Sequence, residues 1–222
     1  MQCRYCGDDV RLLCELNPIP LTAGYRREPD GTAEKYPLRL MGCACGYVGL
    51  DHIVAPSLIY PANEELVSQS AGLAHHLTEY ADAWATELPF GSAVLDIGAN
   101  DGTFLRAFMK KGYRVIGVEP SRYAAQAARE LGIPVINEFF NNSVASYLRG
   151  KQPYPFVTAS RVWANISEPM SFLENVKSIL HPLGRFVIET GYLPDILDNM
   201  LEETIYHEHI SYDMVHHIAQ LC

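Results

Sequence analysis

The run Val94-Leu95-Asp96-Ile97-Gly98-Ala99-Asn100-Asp101-Gly102 places an aspartate and two glycines where a short apolar stretch gives way to an amphipathic one. Glycines at such a junction allow a tight turn and let a ligand approach the backbone closely, next to the free amides that open a helix. Glu119, seventeen residues after Gly102 in Gly117-Val118-Glu119-Pro120, closes the next apolar stretch. A carboxylate at that point suits the two hydroxyls of a ribose. The glycine spacing departs from a dinucleotide fingerprint, and no grip for a pyrophosphate is evident. Farther on, Asn137-Glu138-Phe139-Phe140 offers two phenyl groups that would serve either as an apolar platform for a purine or as ordinary core.

Sulfur chemistry is concentrated at the other end. Cys3-Arg4-Tyr5-Cys6-Gly7 and Cys43-Ala44-Cys45-Gly46 are two knuckles with 36 residues between Cys6 and Cys43. Four thiolates so arranged fit a tetrahedral zinc site, with Gly7 and Gly46 freeing backbone amides to point at the sulfurs. The second knuckle is one residue tighter than the usual pair, and Cys14 is an alternative ligand. Free buried cysteines are the competing reading. Zinc at this place would be structural, because no ligand position is open and no acid stands beside it.

A third cluster is Glu203-Thr204-Ile205-Tyr206-His207-Glu208-His209-Ile210-Ser211-Tyr212. Three adjacent titratable residues framed by tyrosines are costly to place without purpose. On a strand, His207 and His209 would share one face and Glu208 the other. General acid–base catalysis beside a phenol, metal binding by the two histidines, and a solvated polar loop are the three readings.

The elements that must position these groups follow from periodicity. Residues 1–55 lack a long helical period and read as short strands and turns, with strands at Tyr36–Met41 and Tyr47–Leu50 and breakers at Pro18-Ile19-Pro20 and Pro29-Asp30-Gly31. A segment with so few core residues needs a metal or a docking surface. From about Glu64 to Leu88, Leu66, Leu73, Leu77, Tyr80, Ala81 and Trp84 recur at helical steps until Pro89-Phe90-Gly91. Strand and helix then alternate. Strands are expected at residues 93–97, 114–118, 133–136, 156–160 and 185–189. Helices are expected at 103–111, at 121–131 with Ser121 as N-cap, at 143–149, and at 169–180, the last closed by Pro182 and Gly184. Continuous apolar strands separated by helices predict an α/β doubly wound, mostly parallel sheet covered on both faces. The expected segments are 1–55 as a small β-rich zinc-binding domain, 56–90 as a helical connection and 91–222 as the ligand-binding domain.

The chain has 222 residues, enough to bury a core, and is 48% hydrophobic and 19% charged, the profile of a folded protein. Its net charge of −9, with no basic run longer than Arg26-Arg27 or Lys110-Lys111, argues against nucleic acid as a partner. No apolar stretch approaches a membrane span, and Met1-Gln2-Cys3-Arg4 opens no secretory signal, so a reducing cytoplasmic location is expected. In that compartment paired cysteines bind metal more often than they form disulfides.

The segment from Leu95 to Phe104 and the acid in Gly117-Val118-Glu119-Pro120-Ser121 resemble motif I and the acidic loop of class I S-adenosylmethionine-dependent methyltransferases, a Rossmann-like fold. That resemblance gives Gly98, Asn100 and Gly102 to the methionine side of the cofactor and Glu119 to its ribose, with Ala99 and Pro120 also in the cofactor site. Asp96 supports the loop, while Phe139, Phe140 and Ser160 complete the cofactor site. Together with Cys3–Gly7, Ile19-Pro20-Leu21, Cys45–Leu50, Phe186–Glu189 and Ile205–Tyr212, the whole chain resembles the sugar C-methyltransferases of deoxysugar and antibiotic biosynthesis. The resemblance implies a zinc site at Cys3, Cys6, Cys43 and Cys45, and a small-molecule acceptor, a 4-keto-deoxysugar on thymidine diphosphate methylated at carbon 3. It further implies His209 as the base, Glu208 as its carboxylate partner or a sugar-positioning acid, and Tyr206 as the tyrosine beside them. Asn165 stands where that family carries a histidine, and Leu66 where it carries a tyrosine. The family continues into a second domain of similar size, so the end at Cys222 is expected to mark either a fragment or a chain that has shed that half. O- or N-methylation of another metabolite, and a cofactor-binding or partner-binding module without turnover, are the alternative functions.

Overall fold

The computed structural model describes residues 1–21, 33–60 and 65–222. The expected turn at residues 29–31, the pair Arg26-Arg27 and the helix start near Glu64 lie outside the described residues. Contacts divide the chain into two compact units: Met1–Ile59 with Arg161–Ser171 and Glu189–Cys222, and Tyr60–Ser160 with Phe172–Ile188.

The first unit begins with three antiparallel strands, β1 (Arg11–Ile19), β2 (Tyr36–Gly42) and β3 (Val48–Leu50). β1 corrects the reading of Pro18-Ile19-Pro20 as a break, because the strand runs through Pro18 to Ile19. It is the edge of its sheet, where a missing amide need not cost a ladder bond, and its register shifts between Leu16 and Ile19. A short helix, α1 (Pro56–Ile59), follows.

In the second unit α2 (Ala71–Glu87) is capped by the Ser70 hydroxyl, which accepts from the Leu73 amide. A 3-10 turn at Val67–Gln69 precedes it, so the helix starts later than the hydrophobic pattern alone indicates. The local hydrogen bonds of Ser70 compete with helix there. β4 (Ala93–Ile97), α3 (Thr103–Lys110), β5 (Arg114–Val118), α4 (Arg122–Glu130), β6 (Val135–Ile136), α5 (Asn142–Arg149) and β7 (Tyr154–Ser160) then alternate, followed by α6 (Pro169–Ile179) and β8 (Leu180–Glu189). The strand order is β6-β5-β4-β7-β8, with β4 parallel to both β5 and β7. All five residues of β4 are buried, which is why it reads as an unbroken apolar run. Leu77, Phe104, Phe108, Ile133 and Phe156 build the core against it, and Trp84 packs on Phe156 with ring centroids 5.1 Å apart.

Pro182 and Gly184 do not close α6. They lie within β8, an edge strand of the five-stranded sheet, where proline is tolerated. A Cβ on Gly184 would come within 3.0 Å of the Tyr154 carbonyl oxygen, so the glycine permits a close backbone approach.

The remainder of the chain belongs to the first unit. α7 (Leu193–Asp198) leads to β9 (Ser211–Tyr212), which joins the antiparallel sheet as its fourth strand by pairing Val48 with Tyr212 and Gly49 with Ser211. α8 (Val215–Leu221) ends the described chain. Leu38, Leu50, Leu193 and Tyr212 form this unit's small core. Among the described residues no helix is long and apolar enough to cross a membrane.

Candidate functional site

In an open parallel sheet, ligands bind beyond the carboxyl ends of the strands where the strand order reverses, which here is the end of β4. The chain turns there through Gly98 (φ 77°), Asn100 (φ 47°) and Gly102 (φ 77°). The amides of Gly98 and Ala99 donate to the Val118 carbonyl at 2.8 and 3.2 Å, which ties the turn to the end of β5. Glu119 follows directly. Its carboxylate, only 7% exposed, accepts from the Asn100 amide at 2.9 Å and from the Ser121 amide at 2.7 Å. The sequence order of turn and acid thus becomes a hydrogen-bonded unit. Burial pushes the Glu119 carboxyl above the ordinary glutamate range, opposed by those two amides.

Asp96 is buried on β4 and accepts from the Thr158 hydroxyl at 2.7 Å, so it braces β4 against β7. Ala99 is buried, and a Cβ on Gly117 would lie 2.7 Å from its methyl. The carbonyls of Glu119 and Pro120 both accept from the Asn137 side-chain amide, at 2.9 and 3.0 Å. Phe139 meets Tyr60 edge-on at 6.1 Å, whereas Phe140 packs on Phe172 at 5.4 Å, so the two phenyls face different partners. Ser160, half-buried, ends β7.

Gly102 has a packing role as well as a conformational one. A Cβ there would sit 2.4 Å from Cδ1 of Ile133 and 3.3 Å from the Ala128 methyl. With the positive φ added, Gly102→Ala is expected to lower stability by about 2–4 kcal/mol, read as a lower denaturant midpoint at unchanged slope.

Two roles in this turn were not legible from spacing. The Asn100 side chain accepts from the Val67 amide at 2.9 Å and donates to the Glu65 carbonyl at 3.1 Å. Asp101 accepts from the Ser68 amide at 2.8 Å and from the amide and hydroxyl of Thr103 at 3.1 and 2.7 Å. Burial alone would raise the Asp101 carboxyl, but these donors hold it below its usual range. The pair therefore staples residues 65–68 to the turn. An Asn-Asp pair ahead of a glycine and a helix start was the available signal, since both side chains bond readily to nearby amides.

In the first unit, Tyr206 to Glu208 form a turn rather than a strand, closed by the His209 amide donating to the Tyr206 carbonyl at 3.1 Å. The two histidines consequently do not share a face. His207, 3% exposed, bonds the Pro37 carbonyl through Nε2 at 3.1 Å. His209 Nδ1 lies 3.0 Å from the Thr204 carbonyl, and its Nε2 lies 3.1 Å from the Tyr206 hydroxyl. A carbonyl can only accept, so Nδ1 carries the proton and Nε2 presents a lone pair to the phenol. Burial holds this imidazole below the usual histidine value. The Thr204 carbonyl opposes that shift and the Arg161 cation adds to it. Glu208 is half-buried in the same turn. Asn165 ends a 3-10 turn whose Ala164 carbonyl accepts from the Ile210 amide at 2.7 Å.

The four knuckle cysteines converge. The sulfurs of Cys3, Cys6, Cys43 and Cys45 all lie within 4.8 Å of one another, with Cys3–Cys45 at 3.7 Å and Cys6–Cys43 at 3.5 Å. A tetrahedral ion with metal–sulfur bonds of about 2.3 Å separates its sulfurs by about 3.8 Å, so the set could hold a metal. The Tyr5 amide points at the Cys3 sulfur at 3.4 Å, and Gly7 and Gly46 take positive φ. The amides of these two glycines do not point at the sulfurs as expected from the sequence, because they close the knuckle turns by donating to the Cys3 and Cys43 carbonyls, each at 3.0 Å. Cys14, the alternative ligand, is exposed on β1 outside this group.

The chain is 28% identical over 218 residues to the C-methyltransferase NovU of Streptomyces niveus, which covers 95% of this chain and 52% of that protein. It is also 27% identical over 111 residues to a ubiquinone biosynthesis O-methyltransferase of Actinobacillus pleuropneumoniae, 46% of each chain. It therefore spans about half the length of these curated relatives. Among solved structures, a SAM-dependent methyltransferase from Archaeoglobus fulgidus superposes with a TM-score of 0.56 at 18% identity, covering 67% of this chain and 66% of that one. The plantazolicin methyltransferase BpumL, solved with SAH, gives 0.52 at 20% identity, covering 67% and 60%. At these identities the likeness establishes the fold, a Rossmann-like methyltransferase sheet. Residues 71–222 match the family described as a methyltransferase domain, and with that match covering more than half of its length, the chain belongs to the methyltransferase-domain family.

Proposed function

We propose that the protein transfers a methyl group from S-adenosylmethionine to carbon 3 of a 4-keto-deoxysugar carried on thymidine diphosphate, with His209 as general base. The observation that carries the reading is the setting of His209: a half-buried imidazole, its pKa lowered by burial, whose Nδ1 proton is fixed on Thr204 and whose Nε2 lone pair faces the Tyr206 phenol. The likeness to a C-methyltransferase along 95% of the chain supports it.

In this reading Glu119 accepts the two ribose hydroxyls of the cofactor, and the Gly98–Gly102 turn, where the glycines let a ligand approach the backbone closely, receives its methionine end. Asp96 keeps the turn braced on β7. The cofactor, when bound, supplies an electrophilic methyl on a sulfonium sulfur. The ketone at carbon 4 acidifies the proton at carbon 3. Nε2 of His209 would take that proton as the acceptor displaces the phenol, and the electron pair left on carbon 3 would bond the methyl as the methyl's bond to sulfur breaks, its electrons staying on sulfur as a neutral thioether. Tyr206, released from Nε2, donates to the oxygen on which charge gathers. Glu208 positions the sugar from the same turn. The four cysteines hold a structural zinc, and metal analysis of freshly purified protein is expected to return one zinc per chain.

O-methylation is a second reading, favoured by the O-methyltransferase likeness over 46% of the chain. There the same Nε2 would deprotonate a hydroxyl. A mass-spectrometric methylation assay separates the two. Incorporation into keto-sugar nucleotides, with fragment masses that place the methyl on ring carbon 3, supports the C-methyl reading, whereas incorporation only at hydroxyl oxygens overturns it.

A further inference from the structure

Cys3 and Cys6 bracket Arg4 and Tyr5, and both of these side chains run from the knuckle to residues 210–213. Arg4 Nη1 donates to the Ile210 carbonyl at 2.9 Å and to the Tyr47 hydroxyl at 2.8 Å, while Nη2 donates to the Leu50 carbonyl at 2.6 Å. The Tyr5 hydroxyl donates to the buried Asp213 carboxylate, which also accepts from the Ser211 hydroxyl at 2.9 Å. Tyr47, directly after Gly46 of the second knuckle, is fully buried. The Leu50 amide donates to the same Ile210 carbonyl at 3.0 Å. On the other side, the Ile210 amide is bound to Ala164. Both backbone polar groups of the residue that follows His209 are thereby fixed, and the charged donor among their partners comes from inside a metal knuckle.

The contacts that orient the His209 ring are local. Thr204 and Tyr206 belong to the same short stretch, so they set the tautomer but do not anchor that stretch to the rest of the unit. Backbone bonds to Leu50 and Ala164 tie it there, and the planar guanidinium adds the charged tie, reaching two carbonyls and a phenol at once from one fixed plane. An ammonium group lacks that fork.

We infer that Arg4 is a positioning residue that transmits the closed, metal-filled form of the four-cysteine knuckle to the His209 turn, so that the N-terminal metal module governs the geometry of the base. The inference rests on the proposed role of His209 and on metal occupancy of the cluster.

The test uses the full chain. Arg4→Gln keeps a polar, uncharged side chain at this place but shortens its reach and removes the fork and the charge. Metal content per chain and cofactor affinity are expected to stay unchanged. The Ile210 amide is expected to exchange with solvent about tenfold faster or more, and the imidazole nitrogen resonances of His209 are expected to shift from a single Nδ1–H tautomer toward a mixture. Arg4→Lys should restore part of the change, and stripping zinc from the unaltered protein with a chelator should reproduce it. If Arg4→Gln loses its metal or its fold, Tyr47→Phe, which removes one partner of the fork, is expected to move the same two signals less far in the same direction. An unchanged His209 spectrum and unchanged Ile210 exchange, in Arg4→Gln or failing that in Tyr47→Phe, overturn the inference. These signals need no acceptor and no turnover, so they fail independently of the base assignment, which is tested by removing His209 itself.

Discussion

His209→Ala is expected to lower the methyl-transfer rate by about 10²–10⁴-fold, the usual contribution of a positioned general base, with the cofactor dissociation constant unchanged. The separation follows from where the groups lie. His209 is held by Thr204 and Tyr206, while Asn100 and Glu119 belong to a different compact unit and to a different hydrogen-bond set. The pH profile adds a second readout. Burial lowers the imidazole below its ordinary value of about 6.5. Its basic form therefore dominates at neutral pH, and the rate should be level there and fall only as pH drops below that ordinary value. Tyr206→Phe should weaken the rate less than His209→Ala, because it removes a phenol that holds Nε2 rather than the lone pair that takes the proton. Transfer at an undiminished rate in His209→Ala, measured by mass spectrometry on the acceptor, would end the base assignment.

The sheet that carries the Gly98–Gly102 turn was legible because β4 is buried throughout, β7 over most of its length and β5 at its end, so their core residues spell apolar runs. The glycines and Glu119 were legible for a related reason. A turn that must take positive φ at residues 98 and 102 restricts residue type strongly, and the following acid has one place to stand. The N-terminal sheet was only partly legible. Seven of the nine residues of β1 are exposed, and it carries a proline, so neither alternation nor an apolar run marks it. β9 is two residues long, and its partner β3 is more than 160 residues away in the chain, so no local pattern announces the pairing. That one pairing decides where His209 belongs. It draws the end of the chain into the unit of the cysteine knuckles, and a reading by sequence order assigns it to the parallel sheet instead. The turn at Tyr206–Glu208 was missed likewise, since alternation of titratable residues fits a strand until the His209 amide is seen to close on Tyr206.

Glu119→Ala is expected to weaken cofactor binding by about tenfold to a hundredfold, because each buried partner left unpaired costs about 1–3 kcal/mol and 1.4 kcal/mol is a factor of ten. Two effects combine. The ribose hydroxyls lose their acceptor, and the amides of Asn100 and Ser121, now bonded to the carboxylate at 2.9 and 2.7 Å, lose theirs. Glu119→Gln separates these effects. The amide oxygen can still accept from one backbone donor, so the turn keeps part of its tie, while the charge and one acceptor lobe toward the ribose are gone. Its loss of affinity should fall between the parent and the alanine variant. Because burial raises this carboxyl's pKa, protonation begins at a higher pH than for a free glutamate, and each protonated molecule loses an acceptor. Cofactor affinity in the parent protein should therefore decline as pH falls toward the raised value, and Glu119→Gln should abolish that slope. Calorimetry across pH with S-adenosylhomocysteine measures both. Equal affinity in all three proteins, or the same slope in Glu119→Gln as in the parent, would remove Glu119 from the cofactor site.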